Sequence, residues 1–154
     1  MRLEFLWPGR TKMPELRALE EFYVGRIRTL ADCRVVVTPV ARGLGERQAG
    51  RILEIEAQGL EKRLKDDYII CLSDGGRDMT SVEFARFLAA RDREGRRFAF
   101  VVGGFLGLAE RILRRADLRL ALSKMTMPHE LCRVVLLEQV YRSLTIIRGR
   151  QYAK

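Results

Sequence analysis

Histidine is nearly missing from this chain, with His129 the single one in 154 residues. The cysteines are three, Cys33, Cys71 and Cys132, odd in number and far apart. Without a Cys/His cluster no transition-metal site is expected, and three scattered thiols make buried side chains rather than a disulfide framework. No apolar run approaches the roughly 18 residues of a membrane span. The opening MRLEFLWPGRTK carries neither a signal-peptide core nor a small-residue cleavage site, so a cytoplasmic location is expected. No linker, repeat or low-complexity segment divides the chain, which reads as one domain over residues 1–154. The glycine-rich Gly103-Gly104-Phe105-Leu106-Gly107 lacks the G-x-G-x-x-G spacing of a dinucleotide fingerprint, and no Gly-Lys-Ser/Thr follows to make a P-loop.

What is present is an ordinary globular composition, 47% hydrophobic and 32% charged, with a net charge of +9. The charge is uneven. From Arg111 to Lys154 there are ten Lys/Arg against three Asp/Glu. Basic charge concentrated in one third of a chain points to a polyanionic partner, and nucleic acid is the expected one.

Strand and helix patterns alternate. Strands are expected at Arg2–Trp7, Arg34–Pro39, Tyr68–Leu72, Phe98–Val102 and Leu118–Leu122. Helices are expected at Pro14–Arg28, Glu46–Leu64, Ser81–Arg91, Leu108–Arg115 and Pro128–Ile147. Proline at the first turn fits both Pro14 and Pro128, and Thr80 or Ser81 with Glu83 marks a cap. In the first helix Leu16, Leu19, Phe22, Tyr23 and Ile27 are expected to face inward. Ser73-Asp74-Gly75-Gly76 reads as a turn. This order gives an α/β fold with a mainly parallel sheet and helices on both faces.

Ligands in open α/β sheets gather outside the carboxyl ends of strands. Three exits compete: Leu72 to Gly76, Gly103 to Gly107, and Leu122 to Met127. Paired glycines at a strand's end let backbone approach a ligand closely. Met125 and Met127 are either walls of a ligand site or core filling, and Thr126 either touches a ligand or caps the following helix. Three convergent exits suggest a nucleoside-like ligand.

Three segments carry a resemblance: Val101–Leu108 (VVGGFLGL), Leu122–Arg142 (LSKMTMPHELCRVVLLEQVYR) and Arg148–Tyr152 (RGRQY). With Gly9–Glu15 (GRTKMPE) near the start, the whole chain resembles the small SPOUT-class methyltransferases that act on N3 of a pseudouridine in large-subunit ribosomal RNA. The resemblance implies a trefoil knot in the C-terminal part of the sheet, a homodimer, and ribosomal RNA within the assembled ribosome as partner. It implies S-adenosylmethionine as cofactor, held by Leu72, Gly103, Gly104 and the loop Leu122, Ser123, Lys124, Met125, Thr126 and Met127. It implies no metal. Arg142, in the matched EQVYR segment, is the candidate for orienting the acceptor base and stabilising its imide anion; a helix-surface ion pair is the alternative. His129, at the positive end of a helix dipole, is expected to be neutral. It binds RNA or cofactor, or satisfies a helix end. Arg148, Arg150 and Lys154 are expected to contact RNA phosphates. Relatives of this kind usually end Tyr-His-Lys or Tyr-His-Arg, whereas this chain has Tyr152-Ala153-Lys154. Any role of that histidine passes to Tyr152, Lys154 or water, and a ribosome-binding protein without catalysis is the alternative reading. Leu131, Val135 and Leu136 on the last helix are expected to meet a second copy.

Overall fold

The computed structural model describes residues 1–152. Five strands form one sheet: β1 (Arg2–Pro8), β2 (Asp32–Thr38), β3 (Tyr68–Asp78), β4 (Phe98–Val101) and β5 (Leu118–Ala121). Their order is β2-β1-β4-β3-β5 and every pairing is parallel. Five α-helices connect or follow them: α1 (Pro14–Arg28), α2 (Ala49–Glu61, after a short 3₁₀ turn), α3 (Ser81–Asp92), α4 (Glu110–Leu113) and α5 (His129–Ile147).

Alternation along the strands builds two cores. Leu3, Phe5 and Trp7 of β1, Tyr68, Ile70 and Leu72 of β3, and Phe98 and Phe100 of β4 point to one face. There they meet α1, α3 and α5 through Ile27, Leu88, Leu137 and Val140. Phe5 and Phe100 stack at 5.2 Å across neighbouring strands. The alternate residues Leu6, Ile69, Cys71, Ala99 and Val101 meet α2 and α4 on the other face through Leu60 and Ile112. Crossovers toward the β2 edge use the first face and those toward the β5 edge the second, which is what a single right hand of connection requires. Each buried aromatic or aliphatic side chain contributes roughly 1.5–3 kcal/mol.

α1 begins and ends where Pro14 and its amphipathic pattern place it, but its inward residues differ. Val24 and Ile27 are buried, while Leu19 and Phe22 are exposed. α5 packs between α1 and α3 on that face of the sheet. That packing buries Leu136 completely, so only Leu131 and the half-buried Val135 remain of the expected contact surface for a second copy. The Ser73–Gly76 turn is absent: β3 continues to Asp78, with a register shift against β5 between Leu72 and Arg77. Gly76 permits this, since a Cβ there would stand 2.7 Å from the Arg119 backbone. At α3, Thr80 and Glu83 form a reciprocal capping box, worth about 1 kcal/mol.

Candidate functional site

All three expected strand exits open into one cavity of about 850 Å³ at the carboxyl edge of the sheet. Leu72, Gly103, Gly104, Leu122, Ser123, Met125, Thr126, Met127 and His129 line it, together with Ser73 and Asp74 from the β3 exit. Lys124 does not. Its ammonium lies 3.8 Å from an Asp78 carboxylate oxygen with the side chain largely in solvent.

The loop before α5 is shaped by its own hydroxyls. Ser123 Oγ accepts from the Met125 amide at 2.9 Å, and Thr126 Oγ1 donates to Asp74 Oδ2 at 3.1 Å. Thr126 therefore ties the β5 exit to the β3 exit and does not cap α5, whose N-cap is Pro128 with no side-chain bond. Met125 is 78% exposed at the rim, so it is not core filling, whereas Met127 is half-buried.

The paired glycines serve packing within the chain. A Cβ on Gly103 would stand 2.4 Å from the Gly107 backbone, and Gly104 and Gly107 bridge as a tight hairpin. A Cβ on Gly104 would meet Glu56 Oε2 at 3.0 Å. Both glycines line the cavity and also leave room for Gly107 and Glu56. Glu56 is buried on α2, and burial raises its carboxyl above the ordinary range while the charge of Arg133 opposes the rise.

His129 opens α5 at the cavity wall. Its imidazole is held below its ordinary pKa first by burial and then by the charge of Arg133, so burial rather than a helix dipole is the leading cause of its neutrality. Behind it Glu130 accepts hydrogen bonds from the Lys12 and Met13 amides at 2.8 and 3.1 Å. Arg133 is fully buried; it donates to the Pro8 and Gly9 carbonyls and to Thr11 Oγ1, and lies over the Trp7 ring. Cys132 lines the cavity as a thiol pushed up to about 11 by burial. It is therefore not a nucleophile at neutral pH.

Arg142 and Tyr152 stand apart from this cavity. Arg142 follows His129 by thirteen residues of one helix, about 20 Å along its axis. It is bonded to Glu138 Oε1 at 2.5 Å and stacks 4.5 Å over the Tyr152 ring, which packs edge-on against Tyr141. Burial, then hydrogen bonding with Tyr23, pushes the Tyr152 phenol up to about 12. Arg148 donates to the Leu30 carbonyl, beside the amino-terminal edge of the sheet, and Arg150 is exposed beyond it. Lys154 and Ala153 lie outside the described residues. No cluster of metal-ligating side chains occurs among the described residues, and no helix there is long and apolar enough to cross a membrane.

A cavity bounded by three parallel-strand exits, two of them linked by a side-chain bond, is the setting in which family likeness becomes informative. The family model described as "Predicted SPOUT methyltransferase" matches residues 1–153. The chain belongs to the SPOUT methyltransferase family. Full-length relatives agree. The ribosomal RNA large subunit methyltransferase H of Clostridium beijerinckii is 37% identical over 159 residues, covering 100% of both chains. The protein of the same name from Geobacter sulfurreducens is 38% identical over 154 residues, 99% of each. Among solved structures, a probable methylase family protein from Haemophilus influenzae aligns with a TM-score of 0.57 at 13% identity, over 99% of this chain and 70% of that one. A probable methyltransferase from Bordetella pertussis gives 0.56 at 16%, over 93% and 96%. At such identities these structures speak for the fold alone. The pocket residues Ser73 and Asp74 fall within the expected exit Leu72 to Gly76, whereas the methyltransferase's buried Glu56, Glu130 and Arg133 are not legible as site residues from sequence. Glu56 carries no sequence signal, because a glutamate in a charged amphipathic helix reads as outward-facing.

Proposed function

We propose that this chain is an S-adenosylmethionine-dependent methyltransferase acting on N3 of a pseudouridine in large-subunit ribosomal RNA, on the assembled ribosome and as a homodimer. The observation that carries the reading is the single cavity shared by the exits of β3, β4 and β5, in a chain whose full-length relatives bear the name of ribosomal RNA methyltransferases. The cavity fits the cofactor in size and chemistry: apolar walls at Leu72, Leu122 and Met127 suit adenine, and exposed loop backbone and Asp74 suit ribose and amino groups. When bound, the cofactor supplies a methyl group on a sulfonium with a good leaving group.

The rest falls to this chain's residues. Walls from three exits fix the direction of approach, and alignment supplies much of the rate. The imide nitrogen of the acceptor must lose its proton, and a cation beside the developing anion lowers that cost. Arg142 is the proposed cation and the Tyr152 phenol a proposed hydrogen-bond donor to the same anion, while the proton passes to water or to His129 of the cavity wall. Placed about 20 Å along α5 from the cavity of their own protomer, Arg142 and Tyr152 are proposed to serve the cavity of the second copy. The trefoil knot implied by the family would hold the β4 to α5 segment rigid around the cavity. Arg148, Arg150 and Lys154 are proposed phosphate contacts, carried by the same tail.

Mass spectrometry of ribosomal RNA from cells with and without the gene tests the reading. Loss of one N3-methylpseudouridine from the large-subunit RNA, restored by the gene, is expected. An unchanged modification profile overturns it. Calorimetry with S-adenosylmethionine tests the cofactor separately.

A further inference from the structure

The cavity's rim carries a feature that packing within the protomer does not explain. Phe105, at the tip of the Gly104–Gly107 hairpin, is 60% exposed beside the cavity. Met125, also exposed, lines the same cavity, so its mouth presents more than a lone apolar side chain, and an exposed apolar patch at a site marks a contact surface. The segments that follow β1 and β2 at the same carboxyl edge carry cations. Arg10 and Lys12 lie in the β1–α1 loop, and Arg42, Arg47 and Arg51 in the β2–α2 segment; all five are exposed. None makes a side-chain hydrogen bond or ion pair among the described residues, with Glu46 the one acid in these two stretches, whereas Arg97, Arg111, Arg119 and Arg142 are all paired with carboxylates.

These groups form one surface. His129 of the cavity wall adjoins Glu130, which holds the Lys12 and Met13 amides. Gly9 touches Val40, joining the two loops: a Cβ on Gly9 would stand 2.7 Å from Val40 Cγ1. Gly59 packs against Pro39 and Thr38 at the end of β2, so the start of α2, ten residues earlier, lies roughly 15 Å along the helix axis from that contact. Its Glu56 then meets Gly104, next to Phe105.

We infer that Phe105 is a stacking platform for an unpaired base next to the acceptor nucleotide, and that Arg10, Lys12, Arg42, Arg47 and Arg51 hold the phosphates of the strand that carries it. The inference rests on the proposed ribosomal RNA reading and locates its RNA surface. Unpaired bases in folded RNA are recognised by aromatic stacking, and exposed cations beside the stacking ring track the backbone.

The test uses unmodified ribosomes with the full-length protein. Phe105→Ala should raise the apparent KM for ribosomes roughly 5- to 100-fold, the range of one lost base stack. Phe105→Trp should keep the KM near that of the parent, and its indole fluorescence should be quenched on ribosome binding. Arg42→Gln, Arg47→Gln and Arg51→Gln combined should lower the log–log salt slope of binding by about 2. Unchanged KM and salt slope overturn the inference. So does a loss of dimer mass in light scattering of Phe105→Ala, which would assign the ring to a second copy. If the parent protein transfers no methyl group, the functional reading fails, while the quenching of Phe105→Trp and the salt slope still decide whether this surface binds RNA.

Discussion

Gly104 faces the carboxylate of Glu56, and a Cβ on the glycine would stand 3.0 Å from Oε2 and 3.2 Å from Oε1. Contacts this short force one partner to move. The Glu56 side chain is largely buried, but neither carboxylate oxygen is among the fully enclosed polar atoms without a partner.

Gly104→Ala is therefore expected to destabilise the fold by about 1–3 kcal/mol through overpacking. Adding Glu56→Ala should relieve most of that cost, because it removes the atoms that the new Cβ meets. A double-mutant cycle by urea denaturation measures the coupling. Additive effects would show that the Gly104 side chain meets something other than Glu56.

Arg133 fastens the β1–α1 turn to α5 through the carbonyls of Pro8 and Gly9 and through Thr11. Arg133→Met keeps much of the volume but leaves those acceptors without donors. A loss of about 3 kcal/mol or more is expected, with faster amide exchange across residues 9–13. Equal stability of the variant would assign the turn's order to Glu130 alone.

Where a local pattern determined an element, the sequence was a sound guide. Pro14 and Pro128 mark the starts of α1 and α5, and Thr80 with Glu83 announces a cap that closes reciprocally. The three exits were legible because apolar runs end in glycine or polar loops. What stayed hidden depends on a second segment. Leu136 is buried because α5 sits between α1 and α3 against the sheet, and β3 passes through Gly75-Gly76 because Gly76 lets the Arg119 backbone come close. The packing role of Gly103 and Gly104 is hidden as well, since nothing in the sequence places Gly107 or Glu56 opposite them.

His129 offers a clean titration, being the single histidine. Burial first and Arg133 second lower its pKa from about 6.5, Lys12 acts in the same direction, and Glu130 opposes them. A depressed folded pKa means the unfolded chain binds the proton more readily. The associated stability is fully present above about pH 6.5 and is lost as pH falls through the folded value. Proton NMR should give a midpoint below 6.5, and His129→Gln should remove that part of the pH dependence of Tm. Glu130 titrates in a separate, lower window: burial alone would raise it, but the Lys12 and Met13 amides hold it below the carboxylate range. A midpoint at or above 6.5 would mean that His129 is solvated or paired with Glu130.

The separation of Arg142 and Tyr152 from the cavity leads to the sharpest test of the dimeric reading. A rigid helix cannot bring Arg142 back to the end that carries His129, so these residues act on the cavity of a second copy or not at all. Two inactive variants separate the cases. Gly103→Val drives a side chain into the Gly107 backbone and should disable the cavity while leaving the tail intact. Tyr152→Ala removes the ring under Arg142 and leaves the cavity intact. Co-expressed in equal amounts, half of the dimers are mixed, and each mixed dimer pairs one sound cavity with one sound tail. If tails serve the opposite cavity, the mixture should recover about a quarter of parental activity on unmodified ribosomes. If each tail serves its own cavity, no site in the mixture is whole and activity should stay at the level of the single variants. Light scattering and thermal melts of each variant must first show a folded dimer. Should Gly103→Val unfold the chain, Ser123→Trp, at the cavity lining, replaces it as the disabled cavity. Full activity of Tyr152→Ala alone would remove the tail from the reaction and leave the imide proton to His129 or water.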